Sequence, residues 1–315
     1  MPVGGITEIE GFSVGVYTDR EAATGVTVIL AEEGARAAVD VRGSAPGTRE
    51  TDLLRPSQLV EEVQAILLAG GSAFGLDAAS GVMRYLEERG RGYVTGPLRV
   101  PIVPAAILFD LFIGDMNIRP DAEMGYQACL NASTGPVPEG SVGAGTGATV
   151  GKIYGPLQAV KSGQGSSSRR CGNLIVAALV AVNAFGDVLG RDGELLAGPR
   201  NPETGVMERT AELMQGGSLS GFPGNTTLGV VATNGCFSRE ALGKIAQMAH
   251  NGLARSIWPV HTMWDGDIIF SLSRGEVDAD ISLAGTMAAE AVSAAVERAI
   301  LTAASLCGIP SAAKQ

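Results

Sequence analysis

The sequence predicts an α/β fold, and three features carry that reading. Short apolar runs rich in β-branched residues alternate with longer runs at helical spacing. Hydrophobic residues make up 45% of the 315 residues and charged residues only 18%, enough apolar surface for an extensive core. The 44 glycines follow no collagen-like period, so they read as tight turns and close backbone approaches. The length fits one large domain or two smaller ones, and because no convincing linker interrupts the chain, a single domain over residues 1–315 is expected.

The bulk properties exclude several classes of function. A net charge of −10, a pI of about 4.8 and the absence of any block of basic residues argue against nucleic-acid and anionic-membrane partners. Cys129, Cys171, Cys236 and Cys307 lie far apart without metal-ligand spacing, so they read as buried free thiols, and no metal is expected. No Gly-x-Gly-x-x-Gly or Walker pattern occurs, and no cofactor is expected. The first residues lack a signal sequence, and apolar runs such as Leu174 to Val182 fall far short of a membrane span, which predicts a soluble, cytoplasmic protein. Mean hydropathy of +0.21 adds the expectation of buried subunit contacts, hence a homo-oligomer.

Along the chain, Phe12–Tyr17, Thr24–Ala31 and Ala37–Arg42 read as three short strands of an antiparallel sheet. Val63–Ala69 is a buried strand leading into Gly70-Gly71-Ser72 and a helix over Ala73–Arg89. Glycines at such a junction offer either an anion or oxyanion pocket or a plain tight turn with Ser72 as N-cap, and the turn is the simpler reading. Pro101–Ile113 is apolar around an isolated Asp110, and Ala122–Asn131 is a short helix. The glycine-dense stretch Gly140–Gly155 carries Lys152, either an exposed turn lysine or a weakly solvated one of lowered pKa. Asn173–Val182 is a buried strand ending at Asn183, whose amide suits an Asx-turn or an oxyanion.

Residues 190–225 read as a connector with a short helix near Met207–Met214, then strand Thr227–Thr233, a helix from Ser238 to about Ile257, and a closing helix over Ala284–Leu306. His250 and His261 flank the first of these helices and read as structural. Asp265 and Asp267 straddle a glycine without the further ligands of a cation loop, so orienting an amine is the alternative use for them. Gly224-Asn225-Thr226-Thr227 stands where the connector meets a strand. It is ordinary turn chemistry, or a site where Thr226 adds to the Asn225 carbonyl in an N→O acyl shift and frees its own amine as a general base.

Taken together and in order, Gly70-Gly-Ser-Ala-Phe-Gly-Leu-Asp77, the glycine run ending at Lys152, Gly224-Asn-Thr-Thr227, Ala232-Thr-Asn234, Pro259-Val-His-Thr262 and Asp265-Gly-Asp267 resemble the DmpA-like family of self-cleaving aminopeptidases. Its relatives include β-peptidyl aminopeptidases and 6-aminohexanoate-oligomer (nylon oligomer) hydrolases, and the resemblance covers nearly the whole chain. It implies a four-layer α-β-β-α sandwich with two stacked mixed sheets, cleaved into residues 1–225 and 226–315 that stay intertwined, and commonly a tetramer. It also implies Thr226 as N-terminal nucleophile, Lys152 beside it, Asn183 as oxyanion donor, and Asp265 and Asp267 holding the amine and the lysine. Phe109 is placed opposite the tyrosine that some members carry near the oxyanion, and Phe109 and the Gly70, Gly71, Ser72 turn are the expected substrate contacts. The expected reaction is hydrolysis of small peptides or ω-amino-acid oligomers through an acyl-enzyme. The alternatives are an acyltransferase resembling ornithine acetyltransferases, and a non-catalytic oligomer in which Asn225-Thr226 is only a turn.

Overall fold

A computed structural model describes residues 4–217 and 224–312, so part of the 190–225 connector, residues 218–223, lies outside the described residues. Strands β1 (Ser13–Asp19) and β2 (Thr24–Val41) form the expected hairpin, with Ser13 opposite Leu30 and Asp19 opposite Thr24. The third predicted strand is instead the second half of β2. Its pairing shifts register between Leu30 and Ala35, and Gly34 sits there at φ +92°. An irregularity of that kind bends a strand without ending it.

After β3 (Thr48–Arg49), strand β4 (Glu62–Ala69) enters the Gly70-Gly71-Ser72 turn. A 3-10 turn over Ser72–Asp77 follows, and helix α1 begins only at Ala78, running to Glu88. The chain is folded tightly back on itself here, since a Cβ on Gly75 would lie 2.0 Å from the Gly70 carbonyl oxygen. Ser72 is no N-cap; Gly71 holds that position in a left-handed conformation, with no side-chain cap bond. An exposed hairpin of β5 (Tyr93–Thr95) and β6 (Leu98–Val100) precedes the buried β7 (Ala105–Ile107). Helix α2 (Ala122–Leu130) is capped by Asp121, which accepts from the Met124 N–H.

Short strands β8 (Thr149–Val150) and β9 (Val160–Lys161) pair with each other, and β10 (Gln164–Cys171) forms a hairpin with β11 (Leu174–Asn183). Then come β12 (Asp187–Leu189), β13 (Leu195–Ala197) and helix α3 (Thr210–Gln215). Strand β14 (Thr226–Gly235), helix α4 (Arg239–Ser256) capped by Ser238, β15 (Ile257–Trp258), β16 (Ile268–Val277) and helix α5 (Ile281–Leu301) complete the chain. Helix α5 begins earlier than Ala284 because Asp280 caps the Leu283 N–H.

Nine strands form one mixed sheet in the order β10-β11-β14-β16-β2-β4-β7-β3, with β1 paired to β2. The pairs β14/β16 and β4/β7 are parallel. Alternation along β11 shows how it is covered. Val176, Val180 and Val182 share a core with Leu242, Leu253, Val292 and Val296 of α4 and α5. Ile175, Leu179 and Ala181 join Ile29, Ile66, Leu68, Leu228 and Phe270 in a second core, and a third places α1 and α2 against Val26, Val28 and Leu67. With both faces buried, β11 and β14 carry the near-continuous apolar runs seen in the sequence. All four cysteines are free, but only Cys129 is buried; Cys171, Cys236 and Cys307 are exposed because they fall at a hairpin end, after a strand and in the C-terminal turn. Among the described residues no helix is long and apolar enough to cross a membrane, and no group of side chains could hold a metal ion.

Candidate active site

The ends of three sheet strands bring the site together. Antiparallel pairing of β11 with β14 sets Asn183 directly opposite Thr226. Parallel pairing of β14 with β16 sets the turn before β16 beside residues 225–227. There the Gly266 N–H donates to the Asn225 carbonyl at 2.8 Å and the Asn225 N–H donates to the Trp264 carbonyl at 3.2 Å. The Thr227 N–H donates to Asp267 Oδ1 at 2.6 Å. The Thr226 hydroxyl donates to the Asn225 carbonyl oxygen at 2.5 Å, so the hydroxyl and the carbonyl before it face each other.

Lys152 joins this group from the glycine-rich stretch. It is 2% exposed, which overturns the exposed turn lysine. The run Gly151-Lys152 is drawn inward by the Gly151 and Lys152 N–H groups, which donate to the Gly186 and Phe185 carbonyls. Its Nζ donates to Asn183 Oδ1 at 2.7 Å and to the Asn183 carbonyl at 2.9 Å. Burial brings the amine's pKa down to about 7, partly opposed by the negative charges of Asp265 and Asp110. Asn183 is itself buried. Its Oδ1 also accepts from the Thr149 N–H at 3.0 Å, and its Nδ2 donates to the carbonyls of Phe109 at 2.9 Å and Gly224 at 3.4 Å.

The two carboxylates are fixed by backbone donors. Asp265 accepts from the Phe185 N–H and from the N–H and hydroxyl of Thr262. Burial, then the charge of Asp267, pushes its carboxyl above the usual range. Asp267 accepts from the backbone N–H of His261 and pairs with its Nδ1 at 2.8 Å. His261 therefore belongs to the site's surroundings. The signal available in the sequence was its spacing, six residues before Asp267. His250 touches the Asp40 carbonyl, and burial holds its ring well below the usual pKa, in keeping with a structural role.

Phe109 reaches the site, since a Cβ on Gly224 would lie 2.7 Å from its ring. The backbone of the Gly70-Gly71-Ser72 turn offers no free donors. Its three N–H groups donate to the Gly25 carbonyl, Asp110 Oδ1 and the Leu108 carbonyl, so the anion pocket gives way to the tight turn. Asp110 and Lys161 are among the buried ionisable groups that were not picked out from the sequence as site residues. Asp110 accepts from Gly71 and from Thr24, and burial pushes its carboxyl up to about 6. Lys161 donates to the carbonyls of Gly145, Ala148 and Ser162, and burial brings it down to about 7. Nothing in the spacing marks Lys161; Asp110 was visible as one charge in an apolar run.

A hydroxyl, an amine of lowered pKa and an amide donor gathered on a mixed α/β sheet are what an enzyme of amide-bond hydrolysis requires. The chain belongs to peptidase family S58, whose model matches residues 4–312, and it is an amide-bond hydrolase. It is 42% identical to an uncharacterized aminopeptidase of Mycobacterium leprae, covering 98% of this chain and 93% of the relative. It is 34% identical to a 6-aminohexanoate-oligomer endohydrolase of Kocuria sp., covering 86% of this chain and 75% of that enzyme. In fold it is similar to the L-aminopeptidase D-Ala-esterase/amidase of Ochrobactrum anthropi, described as a variant of the Ntn hydrolase fold. The TM-score is 0.71 at 20% identity, covering 95% of this chain and 86% of that one.

Proposed function

We propose that the chain cuts itself between Asn225 and Thr226 and that the freed Thr226 is the nucleophile for hydrolysing small peptides or ω-amino-acid oligomers. The observation that carries this reading is the 2.5 Å approach of the Thr226 hydroxyl to the Asn225 carbonyl oxygen, in a buried setting. During turnover the Thr226 amine takes the proton of its own hydroxyl as that hydroxyl attacks the substrate carbonyl. Asn183 Nδ2 stabilises the oxyanion once the Gly224 carbonyl has moved away, and water then resolves the acyl-enzyme. Asp265 and Asp267 hold the strand start and balance the cationic amine. Phe109 presents a ring without a hydroxyl to the substrate.

On this reading residues 1–225 and 226–315 remain one domain. The bend in β2 lets the sheet double over into two stacked halves between α1 with α2 and α4 with α5, a four-layer arrangement supported by the three separate cores. A homo-oligomer, tetrameric as in the family, would cover exposed apolar side chains such as Leu59 and Leu98. The test is an intact-mass spectrum followed by N-terminal sequencing. Two fragments, one beginning at Thr226, are expected from the wild type, and a single chain from Thr226→Ala. A Thr226→Ala protein that stays whole yet keeps full amidase activity would sink the reading.

A further inference from the structure

The carbonyl that self-cleavage attacks has a donor of its own, and it is not Asn183. In the intact chain Asn183 Nδ2 points at the Phe109 and Gly224 carbonyls. The Asn225 carbonyl instead accepts from the Gly266 N–H at 2.8 Å, along with the Thr226 hydroxyl. This approach depends on a residue without a side chain: a Cβ at position 266 would lie 2.8 Å from Thr226 Oγ1 and 2.5 Å from the Ala45 carbonyl oxygen. The donor's position is fixed from both sides. Asp265 accepts the Ala45 N–H at 2.9 Å through its carbonyl, and Asp267 anchors Thr227.

We propose that the backbone N–H of Gly266 is the oxyanion donor of the self-cleavage step, separate from the Asn183 amide used in turnover. The proposal rests on the self-cleavage reading given above. Thr226 Oγ1 bonds to the Asn225 carbonyl carbon, and the displaced C–O electron pair settles on the oxygen, where the Gly266 N–H stabilises it. As that pair returns, the Asn225–Thr226 C–N bond breaks and the hydroxyl proton ends on the leaving nitrogen, giving an ester and a free amine. Water then adds to the ester carbonyl, leaving the Asn225 carboxylate and restoring the Thr226 hydroxyl. The assignment gives a reason for the glycine between the two aspartates: any side chain there would push the amide away from the Asn225 carbonyl by meeting Thr226 Oγ1 and the Ala45 carbonyl.

The experiment replaces Gly266 by glycolic acid, which exchanges the N–H for an ester oxygen and adds no side chain. Loss of one oxyanion donor typically costs about 100- to 1000-fold in rate, so the Thr226 fragment should form at least about 100-fold more slowly than in the wild type. The ester also weakens the Asp265 carbonyl as an acceptor. A second chain with lactic acid in place of Ala45 removes the donor to that carbonyl and leaves the Gly266 N–H in place; it should cleave at the wild-type rate. Equal rates for wild type and glycolate chain overturn the assignment, as does equal slowing of the glycolate and lactate chains. A wild type that stays whole overturns self-cleavage itself and the assignment with it. If the glycolate chain does not fold, the stretch of an isotope-labelled Asn225 carbonyl in intact Thr226→Ala protein decides. A band lowered by a strong hydrogen bond supports the donor; the frequency of a free carbonyl overturns it.

Discussion

Lys152 shows what a single buried amine can do. A neutral amine has two N–H groups and one lone pair, and its Nζ finds two acceptors, both on Asn183. That count leaves the lone pair for a hydroxyl proton, whereas an ammonium would carry a third donor with no partner. On the proposed self-cleavage the Thr226 nitrogen is still an amide before the cut, which would leave Lys152 as the base for that first reaction. With the amine's pKa lowered to about 7 by burial, the reactive free form is lost below that pH and complete above it. The self-cleavage rate should therefore rise about tenfold per unit below pH ~7 and level off above it. A flat profile from pH 5 to 9, followed by mass spectrometry, would remove Lys152 from the reaction. Asn183 is the other residue to probe. Asn183→Ala should lower turnover about 100-fold or more. It should also destabilise the protein by about 1–3 kcal/mol, because the Thr149 N–H and Lys152 lose a buried acceptor. An Asn183→Ala protein with wild-type melting behaviour would contradict that second effect.

The strands explain how these side chains keep their places. The first residues of β14 are tied to the turn before β16 by Asp267, which accepts from Thr227 on one oxygen and from His261 on the other. Asp267→Asn places an NH2 group where both neighbours donate, so one buried N–H goes unpaired at a cost of about 1–3 kcal/mol. The expected result is a lowered melting temperature together with slower appearance of the Thr226 fragment; a variant that cleaves at the wild-type rate would show that this anchor is dispensable. The apolar runs of β4, β11 and β14 were legible in the sequence because burial on both faces leaves an unbroken hydrophobic signature. Strand β10 was not: Gln-Gly-Ser-Ser-Ser-Arg-Arg has the composition of a loop, and it is held by eight pairings to β11 that no local pattern announces. The continuation of β2 was hidden for a similar reason, since a glycine within a polar stretch reads as a stop even where the strand only bends. The site was legible in its residue types through the resemblance and in little else. The burial of Lys152 and the engagement of the Gly70-Gly71-Ser72 amides depend on partners far away in sequence.

At the scale of the whole molecule, β14 lies inside the nine-stranded sheet, with β11 on one side and β16 on the other. A cut at its first residue would leave the residue 226–315 fragment holding β14, β16, α4 and α5, whose contacts with β10, β11 and β2 run through the shared cores. The two fragments should therefore elute together in native size-exclusion chromatography and separate only in denaturant. Separation under native conditions would contradict the shared core.

The pairing of Asn183 with Thr226 has one more consequence. The hydroxyl, the lysine and the Gly266 donor come from segments that meet only when the sheet has closed in the right register, and a slip of one residue would turn Thr226 to the opposite face. On the proposed self-cleavage, the cut would be a checkpoint that a misassembled chain cannot pass. In any preparation, the ratio of whole to divided chain would count the molecules that reached the native arrangement.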